Sequence, residues 1–271
     1  MPTAIPDPVR DAATFPLSDG PSVPAELPIE KIRASGYTIL VMPGPTGAIV
    51  EARSLAPDGV EQVVLAVRGL LREREKTRTA WWVPERAEPK GLAARLRDLG
   101  LQPFDEPPYE PRFAAMARVE PTEPGPEHIE ARPAETFEEY IAGIRLSDAV
   151  FEVDEEDRRA WEEHERVAFE LQTSGTSSAR SFVALVDGEV VGAASVILGA
   201  CSVNLIGGSV REDMRGRGVY RSLVRARWDH AAARGTPALT VQAGRLSRPI
   251  LEALGFQIVG WEDCLRDQLG E

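Results

Sequence analysis

The sequence predicts an α/β (α+β) protein of two similar halves, each a mixed, mainly antiparallel sheet flanked by helices. Three observations carry that expectation. Apolar residues alternate at strand spacing in short runs and recur at helical spacing in longer ones. One order, hairpin, long helix, strand, short helix and strand, occurs twice in 271 residues. Between the two copies lies "EPTEPGPEH" (120–128), with three prolines, a glycine and acids, the composition of a linker.

The elements follow in order. Residues 1–35 are rich in Pro, Ala and Asp without a clear period, and are expected to form an arm with about one helical turn. "YTILVMP" (37–43) and "GAIVEARSL" (47–55) are strands around a "GPTG" turn. Residues 59–76 form a helix, with Val60, Val63, Val64, Val67, Leu70 and Leu71 at its spacing. "RTAWWV" (78–83) is a strand, with one indole expected in the core and the other against a neighbouring element. A short helix at 88–100 has Pro near its start and Gly at its end, and 107–120 holds one more strand.

The second copy starts with a strand at 129–133 and helices at about 135–147 and 154–173. The acids of "DEEDRR" suit the positive end of the helix dipole and read as a solvated helix start. "RSFVALVDGEVVGAASVIL" (180–198) is a hairpin around Asp-Gly. A strand at 201–210, a helix to about 233, a strand at 237–243, a helix at 247–255 and a strand at 256–265 complete it. The expected division is an arm (1–35), a first half (36–120), a linker (121–128) and a second half (129–271).

Composition excludes several classes. No apolar run reaches the roughly 18 residues of a spanning helix. The N-terminus has neither a basic start nor an apolar core, so no signal peptide is expected. Cys201 and Cys264 suggest buried thiols in a reducing cytoplasm. A net charge of −12 argues against binding to nucleic acid or anionic membrane. No Cys/His cluster has zinc spacing, so no metal is expected.

Against this acidic background stands "MRGRGVYRSLV" (214–224). From 211 to 234 there are seven arginines (211, 215, 217, 221, 225, 227, 234) and three acids (212, 213, 229). Placed between a strand and a helix, the stretch presents unpaired N–H groups and the positive end of a helix dipole to an anion. A phosphate or pyrophosphate is the natural ligand. The Gly-Lys-Ser/Thr of a nucleotide P-loop is absent, and a dinucleotide fingerprint would need GxGxxG early in a βαβ unit.

"GGSVREDMRGRGVYRSLV" resembles the acetyl-CoA-binding segment of GNAT N-acetyltransferases, Arg/Gln-x-x-Gly-x-Gly/Ala, with Arg215, Gly218 and Tyr220 at the defined positions. "SRPILEALGFQIVG" resembles the family's second signature, a short helix ending in Leu-Gly-Phe. The resemblance covers 129–265 well and 37–120 as a worn copy without a phosphate loop, which implies a tandem GNAT architecture with a degenerate first half. It further implies a splayed pair of central strands, 201–210 and 238–243, with acetyl-CoA and acceptor meeting between them. Cofactor contacts would come from Gly208, Ser209 and Val210 along the pantetheine, and from Arg215, Gly216, Arg217, Gly218, Val219 and Tyr220 around the pyrophosphate.

Two positions depart from the family. Tyr220 stands where Gly or Ala is usual, and must point away from the pyrophosphate. Leu251 stands where many members carry the Tyr that protonates the departing thiolate. Catalytic candidates are therefore Ser247, at the start of the short helix, and Asn204, on the central strand. Ser247 also reads as a plain N-cap, and Asn204 as an inward polar residue. Asp148, Glu152 and His164 are candidate bases. The expected activity is direct transfer of acetyl from acetyl-CoA to a primary amine of a small molecule or protein. The alternative is a non-catalytic acyl-CoA-binding regulatory protein. A homodimer is compatible with the edge strands of this fold class.

Overall fold

Most of these expectations correspond to real elements. The computed structural model describes residues 3–106 and 109–270. In chain order they form α1 (Asp7–Thr14), β1 (Glu30–Ala34), β2 (Tyr37–Val41), β3 (Ala48–Ala52), α2 (Val60–Arg72), β4 (Arg78–Pro84), α3 (Leu92–Asp98), β5 (Gln102–Pro103) and β6 (Arg112–Arg118). Beyond the linker come β7 (Glu130–Pro133), α4 (Phe137–Phe151), α5 (Glu155–Glu162), α6 (Glu165–Thr173), β8 (Ala179–Val186), β9 (Glu189–Leu198), β10 (Val203–Val210), α7 (Val219–Ala233), β11 (Leu239–Ala243), α8 (Arg248–Ala253) and β12 (Gln257–Gln268).

Local chemistry explains many boundaries. Asp187 (φ 52°) and Gly188 (φ 81°) make the tight turn between β8 and β9. Helix α4 opens with a side-chain cap: Thr136 accepts from the Glu139 amide, and the Glu139 carboxylate accepts from the Glu135 amide just before the cap. Arg132 on β7 then donates two hydrogen bonds to Glu139, and with burial opposing, it holds that carboxyl down to about 2.

Two expectations are corrected. The arm contains a strand, β1, paired along its length with β2, and a helix, α1, of two turns. Strand β1 is not legible in the sequence because its residues stay exposed or half-buried. The helix expected at 154–173 is two helices that meet at His164. Helix α5 buries none of its residues, and it is tied to the first half through Asp157, which accepts from the Thr46 amide and hydroxyl. Helix α6 instead packs Ala168 and Phe169 onto the second half. The acids of 154–157 are thus partly a contact between halves.

The two expected sheets are one. Its strand order is β1-β2-β3-β4-β12-β6-β11-β10-β9-β8-β7, with β5 also paired to β12. The halves exchange their last strands. Strand β6, early in the chain, runs antiparallel between β11 and the start of β12. The end of β12 reaches back and pairs Glu262–Gln268 with Arg78–Pro84 of β4. At 12 residues, β12 spans about 40 Å, enough to serve both sheets.

Helices cover both faces. Phe182 and Ala184 of β8 pack with Leu223 and Trp228 of α7, while Val183 and Leu185 pack with Tyr140 and Ala168 of α4 and α6. In the first half, α2 and α3 bury Val64, Leu71 and Leu96 around Trp81, which is fully buried. Trp82 packs on the other face, against Ala80, Phe104 and Cys264.

Glu262 of β12 is 1% exposed, and neither carboxylate oxygen has a partner among the described residues. Burial, with Glu51 nearby, raises its pKa well above 4.5. The folded chain therefore holds a proton that the unfolded chain releases above about pH 4.5, so this group's stability contribution falls as pH rises toward the folded value. Glu262→Gln is expected to raise the melting temperature at pH 8 by about 2–4 °C per kcal/mol gained, and to flatten the alkaline decline. Thermal melts from pH 5 to 9 check it; an unchanged slope would show that Glu262 is solvated in the folded state.

Candidate functional site

The basic loop sits where β10 gives way to α7. Gly216 (φ +74°) and Gly218 (φ +89°) both adopt the left-handed conformation that other residues resist. Gly218 is the N-cap of α7, with no side-chain cap bond and no acid in the first turn. The first helical bond runs from the Ser222 amide to the Gly218 carbonyl, at 3.0 Å. Among the described residues, the amides of 216–221 have no hydrogen-bond acceptor. They are the unshared donors of an uncapped helix start, a place where an anion is favoured.

The arginines divide by role. Arg211 pairs with Asp213 and Glu189, and Arg225 pairs with Asp229. Arg215, Arg217 and Arg221 are exposed and have no acidic partner among the described residues. The free positive charge thus gathers at this helix start. On its other side the linker is docked: a Cβ on Gly218 would lie 2.7 Å from Pro126, and Arg225 donates to the Thr122 carbonyl at 2.7 Å.

Strands β10 and β11 are paired over only three positions, ending at Leu205↔Val241. Beyond it β11 stays with β6, and 206–210 have no strand partner on the β11 side, which faces the cleft. This is the expected splay. On the β9 side, pairing shifts between Ile206↔Ser195 and Ser209↔Ala193, a bulge at Gly207 and Gly208. The Ser209 side chain turns to the α4 face, where its hydroxyl meets that of Ser147 at 2.9 Å.

The Tyr220 side chain turns from the loop onto the strand. Its ring rests on the backbone of Gly208: a Cβ there would be 2.6 Å from Cε2. A glycine on the strand accommodates a large residue on the helix. Behind the ring stands Arg227, wholly buried, its Nη1 3.5 Å from the Ser195 and Gly207 carbonyls. Burial lowers its pKa, and the Tyr220 phenol facing it partly offsets this. Nη2 has no partner. Sequence reasoning passed over Arg227, although it interrupts the buried stripe Leu223, Val224, Trp228 and Ala231.

The other candidates are scattered. The Asn204 side chain accepts from the Thr240 hydroxyl at 3.2 Å, at the root of the splay. Ser247 is at the N-cap of α8 but makes no capping bond; its hydroxyl is 3.5 Å from the Gly244 carbonyl. Leu251 is fully buried in the core. Asp148 lies one residue beyond Ser147, with its pKa raised by burial and lowered in part by Arg158. Glu152 is the left-handed C-cap of α4, and His164 the N-cap of α6. Two surface cavities, of about 400 and 270 Å³, lie elsewhere, one lined by Leu27, Met42 and Lys76, the other by Pro133, Phe169 and Arg180.

The sequence model of the Acetyltransferase (GNAT) family matches residues 146–256, from the end of α4 to the start of the last strand. No curated protein matches the chain by sequence. Among solved structures, a GCN5-related N-acetyltransferase from Kribbella flavida aligns at TM-score 0.66 and 15% identity, over 97% of this chain and 96% of that one. A tandem GNAT protein from the clavulanic acid biosynthesis pathway, solved without acetyl-CoA, aligns at 0.61 and 18%, over 100% and 90%. A GCN5-related N-acetyltransferase from Sphaerobacter thermophilus aligns at 0.56 and 17%, over 87% and 81%. At these identities the likeness is one of fold, and it extends over both halves. Residues 146–256 thus match the GNAT acetyltransferase family model, and the fold around them is that of these structures.

Proposed function

We propose that the second half binds acetyl-CoA and transfers its acetyl group directly to a primary amine of a small molecule or protein. The observation that carries this is the joining of two features in one cleft. The cradle of 216–221 offers unshared amides and three free arginines to a pyrophosphate. The open edge of 206–210 offers backbone groups to the amides of a pantetheine. Cosubstrate contacts fall on Gly208, Ser209, Val210 and on 215–220. Acetyl-CoA would supply the activated acyl group; the protein's residues supply alignment and charge.

In the cleft, Asn204 lies at the closed end, and its amide nitrogen is free to orient the acceptor or a water. Asp148, at the end of α4 near the bulge, is the favoured group to take the amine's proton, because burial raises its pKa. The acidic chain suits a cationic acceptor. The first half lacks a corresponding loop; it is structural or shapes the acceptor site, and it touches α5 through the bonds from Thr46 to Asp157.

Calorimetric titration with acetyl-CoA and coenzyme A tests the binding step, and thiol release over an amine panel tests the transfer. Micromolar binding with amine-dependent thiol release is expected. Binding without turnover on any amine would replace this reading with that of a regulatory acyl-CoA sensor. No binding would remove both.

A further inference from the structure

The family's usual proton donor is absent, since Leu251 is buried in the core with no polar atom to offer. A different phenol lies on Gly208, on the strand that borders the cleft. We propose that the Tyr220 hydroxyl donates the proton to the departing coenzyme A thiolate, with Arg227 as its positioning residue. This rests on the acetyl-CoA reading given above.

Three observations support it. The Tyr220 ring leaves the loop and lies on Gly208, the bulge residue beside which the pantetheine would run. Its Cζ would be 3.6 Å from a Cβ at that position, so the hydroxyl-bearing end of the ring lies near the strand. Arg227 is wholly buried behind it, and Nη2 has no partner. Its Nε donates to the Leu223 carbonyl at 3.0 Å and Nη1 lies 3.5 Å from two more carbonyls, but no carboxylate balances the buried charge among the described residues. A guanidinium kept there is explained by negative charge that appears beside it during the reaction.

The step balances as follows. The neutral amine nitrogen attacks the thioester carbonyl carbon, and a C–N bond forms. The C–S bond then breaks, and its electron pair goes to sulfur. The Tyr220 proton moves to that sulfur and yields the free thiol. The amine's surplus proton leaves through Asp148 or water, and solvent restores the phenol. While the phenolate lasts, the Arg227 guanidinium faces its charge.

Tyr220→Phe tests this in the full chain, because it keeps the ring on Gly208 and removes one oxygen. Coenzyme A and acetyl-CoA affinities are expected to stay within about twofold, while kcat falls at least about a hundredfold, within the usual range for a lost acid. The alkaline limb of the kcat–pH profile should disappear. An ultraviolet difference spectrum on binding coenzyme A should show a perturbed tyrosine in the unaltered protein and none in the variant. Arg227→Lys should retain more of kcat than Arg227→Met at matched folded fraction. Unchanged kcat and pH profile in Tyr220→Phe would overturn the assignment and leave the acetyl-CoA reading standing. An unaltered protein that binds acetyl-CoA but releases no thiol also overturns it. Absence of coenzyme binding in the unaltered protein removes both.

Discussion

A Gly216→Glu protein is expected to keep its fold and lose acetyl-CoA affinity at least a hundredfold, about 2.7 kcal/mol. A Cβ at Gly216 meets no atom within 4 Å, so a side chain has room. Its φ of +74° makes any larger residue strained, by about 1–2 kcal/mol. The carboxylate would sit among the unshared amides of 216–221 and fill the place of a phosphate. Gly216→Asn separates the two effects. Asn tolerates the left-handed region and carries no charge, so its stability should be no lower than that of the Glu variant while most binding remains. Gly218 is the less useful position. A Cβ there runs into Pro126 at 2.7 Å, so lost binding could follow from a displaced linker as well as from the cradle. Calorimetry with acetyl-CoA and a thermal melt of each variant decide the matter. Equal affinity in Gly216→Glu and unaltered protein would show that the pyrophosphate is held elsewhere.

Asp267→Ala should destabilise the whole chain by about 3–5 kcal/mol, the scale of a broken buried ion pair. Asp267 is 1% exposed and accepts a forked pair of bonds from Arg68, at 2.9 and 2.7 Å. Arg68 belongs to α2 in the first half, and Asp267 to β12, the last strand of the second. The same guanidinium also donates to the Leu99 carbonyl. Removing the carboxylate leaves a half-buried cation against a strand shared by both halves. Because β12 pairs with β4 and β6 at once, unfolding is expected to remain a single transition. Urea melts followed by Trp fluorescence and far-ultraviolet dichroism test this. Two separated transitions, or a loss below about 1 kcal/mol, would show that the exchanged strand does not couple the halves.

Much of the site is legible in the sequence. Arg215, Gly216 and Gly218 mark a helix start because glycines between arginines after a strand suit a backbone turn that faces an anion, and the loop has that form. Other features need the third dimension. Tyr220 reads as part of the loop, yet its ring belongs to the strand, because the missing side chain of Gly208 leaves the space for it. Arg227 is visible as a charge in an apolar stripe, but that carbonyls and a phenol surround it, and not a carboxylate, follows from the fold. The acids at 154–157 read as solvated; Asp157 is tied to the turn at Thr46, far away along the chain.

By itself, the sequence determined the class of fold, nearly every strand and helix, the repetition of one element order and the glycine turn that starts α7. These depend on local chemistry: alternation, helical period, caps and turns, all written within about fifteen residues. Only the tertiary structure decided that the two sheets are one. Alternation states that a strand has a buried face but does not name its neighbours. So β6 and β12 could be recognised as strands while their exchange could not. It also decided that Leu251 lies in the core and that the Tyr220 ring, from another helix, lies on Gly208 next to a buried guanidinium.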